Sequence, residues 1–145
     1  MKPENSMSVE FPSRSANEAL ARAVVACFAA QLDPTLDELG DIKTAVSEAV
    51  TNCIVHAYRD TIGPITVRCR VLPDNVLDIE VKDKGCGIAD VAAARKPMFT
   101  TGGEERSGMG FTIMESFMDK LTIKSVPGRG TTVTMRKRIS TRIKR

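Results

Sequence analysis

The chain has 145 residues, 42% of them hydrophobic and 27% charged, enough for about one soluble domain with a single core. No apolar run approaches the ~18 residues of a membrane span, and the opening MKPENSMSVEF lacks a signal peptide's apolar stretch, so a cytoplasmic protein without membrane contact is expected. One Tyr and no Trp are too few aromatics for a platform on which nucleic-acid bases stack, so no direct nucleic-acid partner is expected.

Val9 and Phe11 alternate with polar neighbours and predict a short opening strand over 8–11. The spacing then turns helical from Asn17 to Leu32, with Leu20, Val24, Cys27 and Phe28 as the stripe, and Asp33-Pro34 ends it. A longer helix is predicted from Leu36 to Tyr58, burying Leu39, Ile42, Val46, Val50, Cys53 and Ala57. From Ile65 the period falls to two. Ile65, Val67, Cys69 and Val71 share one face, Pro73-Asp74-Asn75 turns the chain, and Leu77, Ile79 and Val81 face inward on the return, which predicts an antiparallel hairpin.

After the turn DKGCGI come a short helical piece and the polar, glycine-rich stretch MFTTGGEERSGMG. A helix over Met109–Met118 is expected to bury Phe111, Met114 and either Phe117 or Met118. Strands near 120–126 and 131–138 follow, joined by Pro127-Gly128-Arg129-Gly130. The tail RKRISTRIKR holds six of the 21 basic residues and no acid, leaving 15 basic against 18 acidic residues elsewhere, and reads as a solvated terminus. The fold expected is an α/β two-layer sandwich, with helices on one face of a mostly antiparallel mixed sheet. It forms one domain over 1–145, with 1–7 and 139–145 flexible.

Four cysteines at 27, 53, 69 and 86 form no CxxC pair, and His56 is the one histidine, so no structural zinc site is expected. Cys27, Cys53 and Cys69 read as small core residues, and Cys86, inside the glycine turn, as the exposed thiol.

Three segments carry chemistry. Glu48, Asn52 and His56 lie four apart and stack along one side of the second helix, away from its apolar stripe. A helix facing solvent would spend Lys and Glu on such a flank, whereas small and apolar residues crowd this one. An Asn carbonyl oxygen suits Mg2+, and a carboxylate one turn earlier suits proton abstraction from an attacking hydroxyl. His56 reads as a structural hydrogen-bonding residue. Asp83-Lys84-Gly85-Cys86-Gly87 leaves a strand directly, so Asp83 is placed either to cap the turn or to accept from an adenine amino group while glycines admit the ring. Gly102-Gly103 and Gly108-Met109-Gly110 flank a lid-like loop that ends on a helix, whose freed N–H groups suit phosphate, with Arg106 beside them. No GxxxxGK[ST] is present, so this is not a P-loop.

In this order, ExxxN on a helix, DxGxGI after a strand, a lid, GxG opening a helix and GTT on a last strand, the chain resembles the GHKL ATPases, which include gyrase-type enzymes, chaperones and histidine kinases. The resemblance covers about Val9 to Arg136. LDPTLDELGDIKTAVSEAVTNCIVHAY and ERSGMGFTIMESFMDKLTIKSVPGRGTTV further resemble the anti-sigma F branch of spore-forming bacteria, which are serine protein kinases. The resemblance implies the Bergerat-type ATP-binding fold and ATP or ADP with Mg2+ as cofactors. It implies that Asn52 holds Mg2+ and that Glu48 is the general base toward a serine hydroxyl. It implies that Asp83 binds adenine, with Gly85 and Gly87 shaping that wall and Thr131 supporting it. Gly108 and Gly110 would contact the phosphates, with Thr101, Arg106, Ser107 and Met109 as further nucleotide contacts. Arg22 and Arg106 would meet protein partners. The mechanism implied is a partner switch: a homodimer holding ATP captures a sporulation sigma factor of RNA polymerase. It then phosphorylates a serine on the competing anti-anti-sigma factor.

A histidine kinase needs a phosphoacceptor His on a dimerising hairpin, for which there is no room, and a gyrase or chaperone ATPase needs a further domain. The alternatives left are a stress-response kinase with a sigma B type partner and a sigma-binding module without catalysis.

Overall fold

In a computed structural model of the chain, residues 2–95 and 110–140 are described. The chain runs β1 (Asn5–Pro12), α1 (Asn17–Ala29), α2 (Leu36–Asn52), β2 (Pro64–Leu72), β3 (Val76–Asp83), α3 (Val91–Ala94), α4 (Gly110–Phe117), β4 (Lys120–Val126) and β5 (Gly130–Arg138). The strands form one sheet in the order β1-β2-β3-β5-β4, antiparallel at every pairing, so the mixed character expected of the sheet is absent among the described strands. The helices pack on one face of it, which gives the α/β two-layer sandwich.

Strand register explains which side chains reach the core. Val67 of β2 stands between Val9 of β1 and Val81 of β3, and Val81 in turn faces Val133 of β5, so one apolar row crosses four strands. Ile65, Val67, Cys69, Leu77, Ile79 and Met135 are sealed beneath the helices. The opposite face carries threonines and charges. At its centre Asp78 is fully buried, its Oδ2 taking Arg70 Nε and Nη2 at 3.0 and 2.8 Å and its Oδ1 taking Arg136 Nε at 2.7 Å. Two guanidinium groups from the flanking strands thus neutralise and hydrogen-bond the acid, as a buried carboxylate requires.

α2 begins with a capping box: Thr35 Oγ1 accepts from Glu38 N–H and Glu38 Oε1 accepts from Thr35 N–H. It buries Ile42, Ala45, Val46, Ala49 and Val50. The single helix expected over Leu36–Tyr58 is α-helical only to Asn52. Cys53–Ala57 form a π-helical turn, closed by Tyr58 N–H donating to Cys53 O at 3.1 Å.

α1 corrects the expected stripe. Ala21, Val25 and Ala29 face inward, while Leu20 is 48% exposed and Cys27 lies on the outside, so Cys27 is not a core thiol. Cys53 and Cys69 are buried and Cys86 is exposed, as expected. In α4, Met118 rather than Phe117 completes the buried set with Phe111 and Met114. Parts of both segments expected to be flexible are held in place. Residues 5–7 pair with 69–71, Ile139 is fully buried, and Ser140 N–H and Oγ–H both donate to Glu38 Oε2.

Candidate functional site

The second helix, the β3 turn and the start of α4 converge on one end of the sandwich. Glu48 and Asn52 lie on the last turns of α2, partly buried. The first residue of α4 comes against them: a Cβ built on Gly110 would stand 3.2 Å from both Asn52 Oδ1 and Nδ2 and 3.4 Å from Glu48 Oε1. Three residues from two distant motifs therefore come together, close enough that a side chain at Gly110 would push the ends of Asn52 and Glu48 back by a few tenths of an ångström. A hard carbonyl oxygen, a carboxylate and a helix start are together there, a set that fits a metal-bound phosphate chain.

His56 lies past the end of the α-helical segment that carries Glu48 and Asn52, because the helix on which the line was expected changes to a π turn at Cys53–Ala57. The His56 carbonyl instead accepts the Cys86 thiol at 3.3 Å.

Asp83 ends β3, where it is 6% exposed. Its Oδ1 accepts Gly85 N–H at 2.9 Å and Thr131 N–H at 3.2 Å, and its Oδ2 accepts the Cys53 thiol at 3.5 Å. Desolvation pushes the carboxyl above its ordinary range, against the pull of those three donors. Burial first, then the Asp83 charge, pushes the Cys53 thiol up, so it stays a protonated donor. Asp83 thus caps its own turn through Oδ1 and holds Oδ2 against the Cys53 thiol inside the fold.

The wall beside it is built from closely packed backbone. A Cβ at Gly85 would sit on the Ala57 carbonyl, whose oxygen also accepts Cys86 N–H at 3.2 Å. Gly87, at φ +76°, lies as tightly on the Val126 carbonyl, and only glycine takes that conformation without strain. Thr131 is buried on β5, its hydroxyl 2.8 Å from Ser125 Oγ, which in turn accepts Ile88 N–H at 2.7 Å. Tyr58 closes the far side: its hydroxyl donates to Pro64 O at 2.7 Å and accepts Lys84 N–H at 2.6 Å.

Arg22 projects from α1 toward α2. Its Nη1 pairs with Glu18 Oε2 at 3.0 Å and donates to Ser47 Oγ at 3.3 Å, which places it one residue from Glu48 along α2 while leaving its side chain 42% exposed. Thr101, Arg106, Ser107, Gly108 and Met109, together with the lid glycines, lie outside the described residues. Sequence reasoning took Cys53 as core alone and passed over Tyr58 and Ser125. Ser125 had a signal, because a turn at 127–130 pairs it with Thr131. Tyr58 and the Cys53 contact had none. Among the described residues no cluster of three or more His, Cys, Asp or Glu side chains could hold a metal ion, and no helix is long and apolar enough to cross a membrane.

Residues 11–137 match the profile of the histidine kinase-like ATPase domain family. The chain is 59% identical over 140 residues to the anti-sigma F factor of Caldanaerobacter subterraneus subsp. tengcongensis, covering 96% of this chain and 97% of that one. It is 52% identical over 137 residues to the anti-sigma F factor of Geobacillus thermodenitrificans, covering 94% of each. Among solved structures it superposes on the RsbU and RsbW domains of Rv1364c from Mycobacterium tuberculosis with a TM-score of 0.70 at 20% identity, covering 97% of this chain and 34% of that longer one. That last likeness is one of fold.

Proposed function

The chain belongs to the histidine kinase-like ATPase domain family and, within it, to the anti-sigma F factors, and from that premise we propose a serine protein kinase that switches between two protein partners. Bound ATP with Mg2+ would supply the transferable phosphoryl group. Asn52 would hold the Mg2+ through its side-chain carbonyl, and Glu48, one turn earlier, would take the proton of the attacking serine hydroxyl. Asp83 would accept the adenine amino group, with Gly85, Gly87 and Thr131 shaping its pocket. Gly110 would bring the start of α4 to the phosphates, alongside Thr101, Arg106, Ser107, Gly108 and Met109.

The observation that carries this reading is the approach of Gly110 to Glu48 and Asn52, with 3.2 Å from its Cβ position to the Asn52 amide. Motifs about sixty residues apart meet there, and Cys53, next to Asn52, touches Asp83, which supports phosphates at Gly110 with the base at Asp83. Exposed Arg22, held near Glu48 by Ser47, suits a partner-contact role beside the reacting end. The partners in this reading are a sporulation sigma factor, held by an ATP-loaded homodimer, and an anti-anti-sigma factor that receives the phosphate in the cytoplasm.

The test mixes the protein with labelled ATP, Mg2+ and an anti-anti-sigma protein. Label is expected on one serine of the partner, falling at least a hundredfold with Glu48→Gln or Asn52→Ala. A wild-type protein that restrains a sigma factor yet transfers no label would replace the kinase with a binding module.

A further inference from the structure

The Asp83 carboxylate has a side-chain contact that the motif does not contain. Both backbone donors at the carboxylate, Gly85 N–H and Thr131 N–H, are spent on Oδ1. Oδ2 faces the Cys53 thiol at 3.5 Å. The nearby hydroxyls have other partners: that of Tyr58 is held by Pro64 O and Lys84 N–H, and those of Thr131 and Ser125 by each other. A carboxylate oxygen has two acceptor positions, so a thiol on one of them leaves one for a ligand.

Cys53 gets there because of the helix it sits on. It is the first residue of the π turn that follows Asn52, and it is 4% exposed. Its neighbours on the buried side of α2 are Val46, Ala49 and Val50, with no donor among their side chains. A cysteine adds a weak S–H donor to a volume near that of alanine, and so packs like a core residue while still reaching Oδ2.

We propose that Cys53 is a positioning residue for base recognition: its thiol, donating to Asp83 Oδ2, fixes the carboxylate plane so that the remaining lone pair of Oδ2 meets the exocyclic amino group of adenine. The proposal rests on the reading of Asp83 as the adenine-binding residue. Asn52 and Cys53, adjacent in sequence, then serve opposite ends of one nucleotide, the phosphates and the base.

The experiment compares ATP with purine riboside triphosphate, which differs only in lacking the 6-amino group, by titration calorimetry on the full chain. The wild type is expected to favour ATP by about tenfold. Cys53→Ala is expected to weaken ATP about fivefold and to leave the amino-free analogue within about twofold, because the lost hydrogen bond acts only through that amino group. Cys53→Ser, which restores a donor, is expected to return the preference for ATP. Should Cys53→Ala melt too low to titrate, Cys53→Val fills the position without a donor and reads the same difference. A loss that falls equally on both nucleotides would make Cys53 a packing residue and overturn the proposal, as would an unchanged ATP affinity. A wild type that binds both nucleotides equally would remove the role of Asp83 and this proposal with it, while ATP binding itself stood. A wild type that binds neither would remove the proposed function as well.

Discussion

Gly110→Ala separates folding from ligand binding, because the two respond with opposite sign. Gly110 opens α4 and is not one of the glycines with positive φ, so alanine meets no backbone strain there. Replacing this glycine by alanine stabilises by about 0.4–1 kcal/mol through a less flexible unfolded chain, with little added helix propensity at the first residue of α4. Against this, the new methyl would lie 3.2 Å from the Asn52 amide and 3.4 Å from Glu48 Oε1, a few tenths of an ångström inside ordinary contact. Those neighbours are the ends of side chains on a helix and can swing aside, so the cost to folding is small. The melting temperature without nucleotide is therefore expected to hold or rise by a few degrees. The space that closes is the one assigned to the phosphates, and displacing Asn52 moves the proposed Mg2+ ligand as well. ATP affinity in the presence of Mg2+ should fall at least tenfold, about 1.4 kcal/mol. Thermal melting with and without nucleotide, together with calorimetry, gives both quantities. A variant that melts lower yet binds ATP as the wild type does would refute the placement of phosphate beside Gly110 and Asn52.

Other perturbations have equally definite signs. Gly130→Ala places a Cβ on the Asp83 carbonyl at φ +132°, where rigid backbone cannot yield, and should cost about 3 kcal/mol or more in urea unfolding. Asp78→Ala strands the guanidinium groups of Arg70 and Arg136, but their side chains are 24% and 38% exposed and can turn to water, so about 2 kcal/mol is expected, below the full penalty for a broken buried pair. At Glu38, desolvation is the largest single influence and raises the pKa, yet hydrogen bonds from Thr35 and Ser140 together outweigh it and hold the carboxyl at about 2. The stability this gives is present above the unfolded value near 4.5 and lost as pH falls toward about 2. Ser140→Ala should therefore cost stability above about pH 4.5, neutrality included, with the difference from the wild type shrinking as pH falls toward about 2, and superimposable stability curves across that range would rule out the tether.

The strands were legible because each buries one face, and a period of two then admits a single reading. Every inward residue expected on β2 and β3 is buried. α2 was legible for the related reason that its charged side is as plain as its apolar one. α1 was not. In ALARAVVACFAA nearly every position is apolar, so periodicity carries little phase information, and weight of side chain pointed to Leu20 and Phe28. Close packing of α1 on α2 selects small residues instead, and Ala21, Val25 and Ala29 take the contact. The π turn was hidden because no residue in CIVHA forbids an α-helix; it follows from contacts with the β3 turn, made by residues far away in sequence. The site motifs were readable one at a time, and their meeting at Gly110 and Asp83 depended on tertiary structure.

The backbone-built wall beside Asp83 also decides how this protein tolerates change. Where side chains line a pocket, chemistry filters substitutions; where carbonyls line it, mere bulk does. Gly85 and Gly87 abut the carbonyls of Ala57 and Val126, so even the smallest replacement meets something that cannot move. Cys86, between them, is exposed and its thiol reaches only the backbone carbonyls of His56 and Gly87, so it is the position expected to vary. A saturation library across 83–87 should therefore alternate between near-complete intolerance and near-complete tolerance from one residue to the next. The hydrogens of two glycines, more than any charged group, would then set how far this pocket can be redrawn.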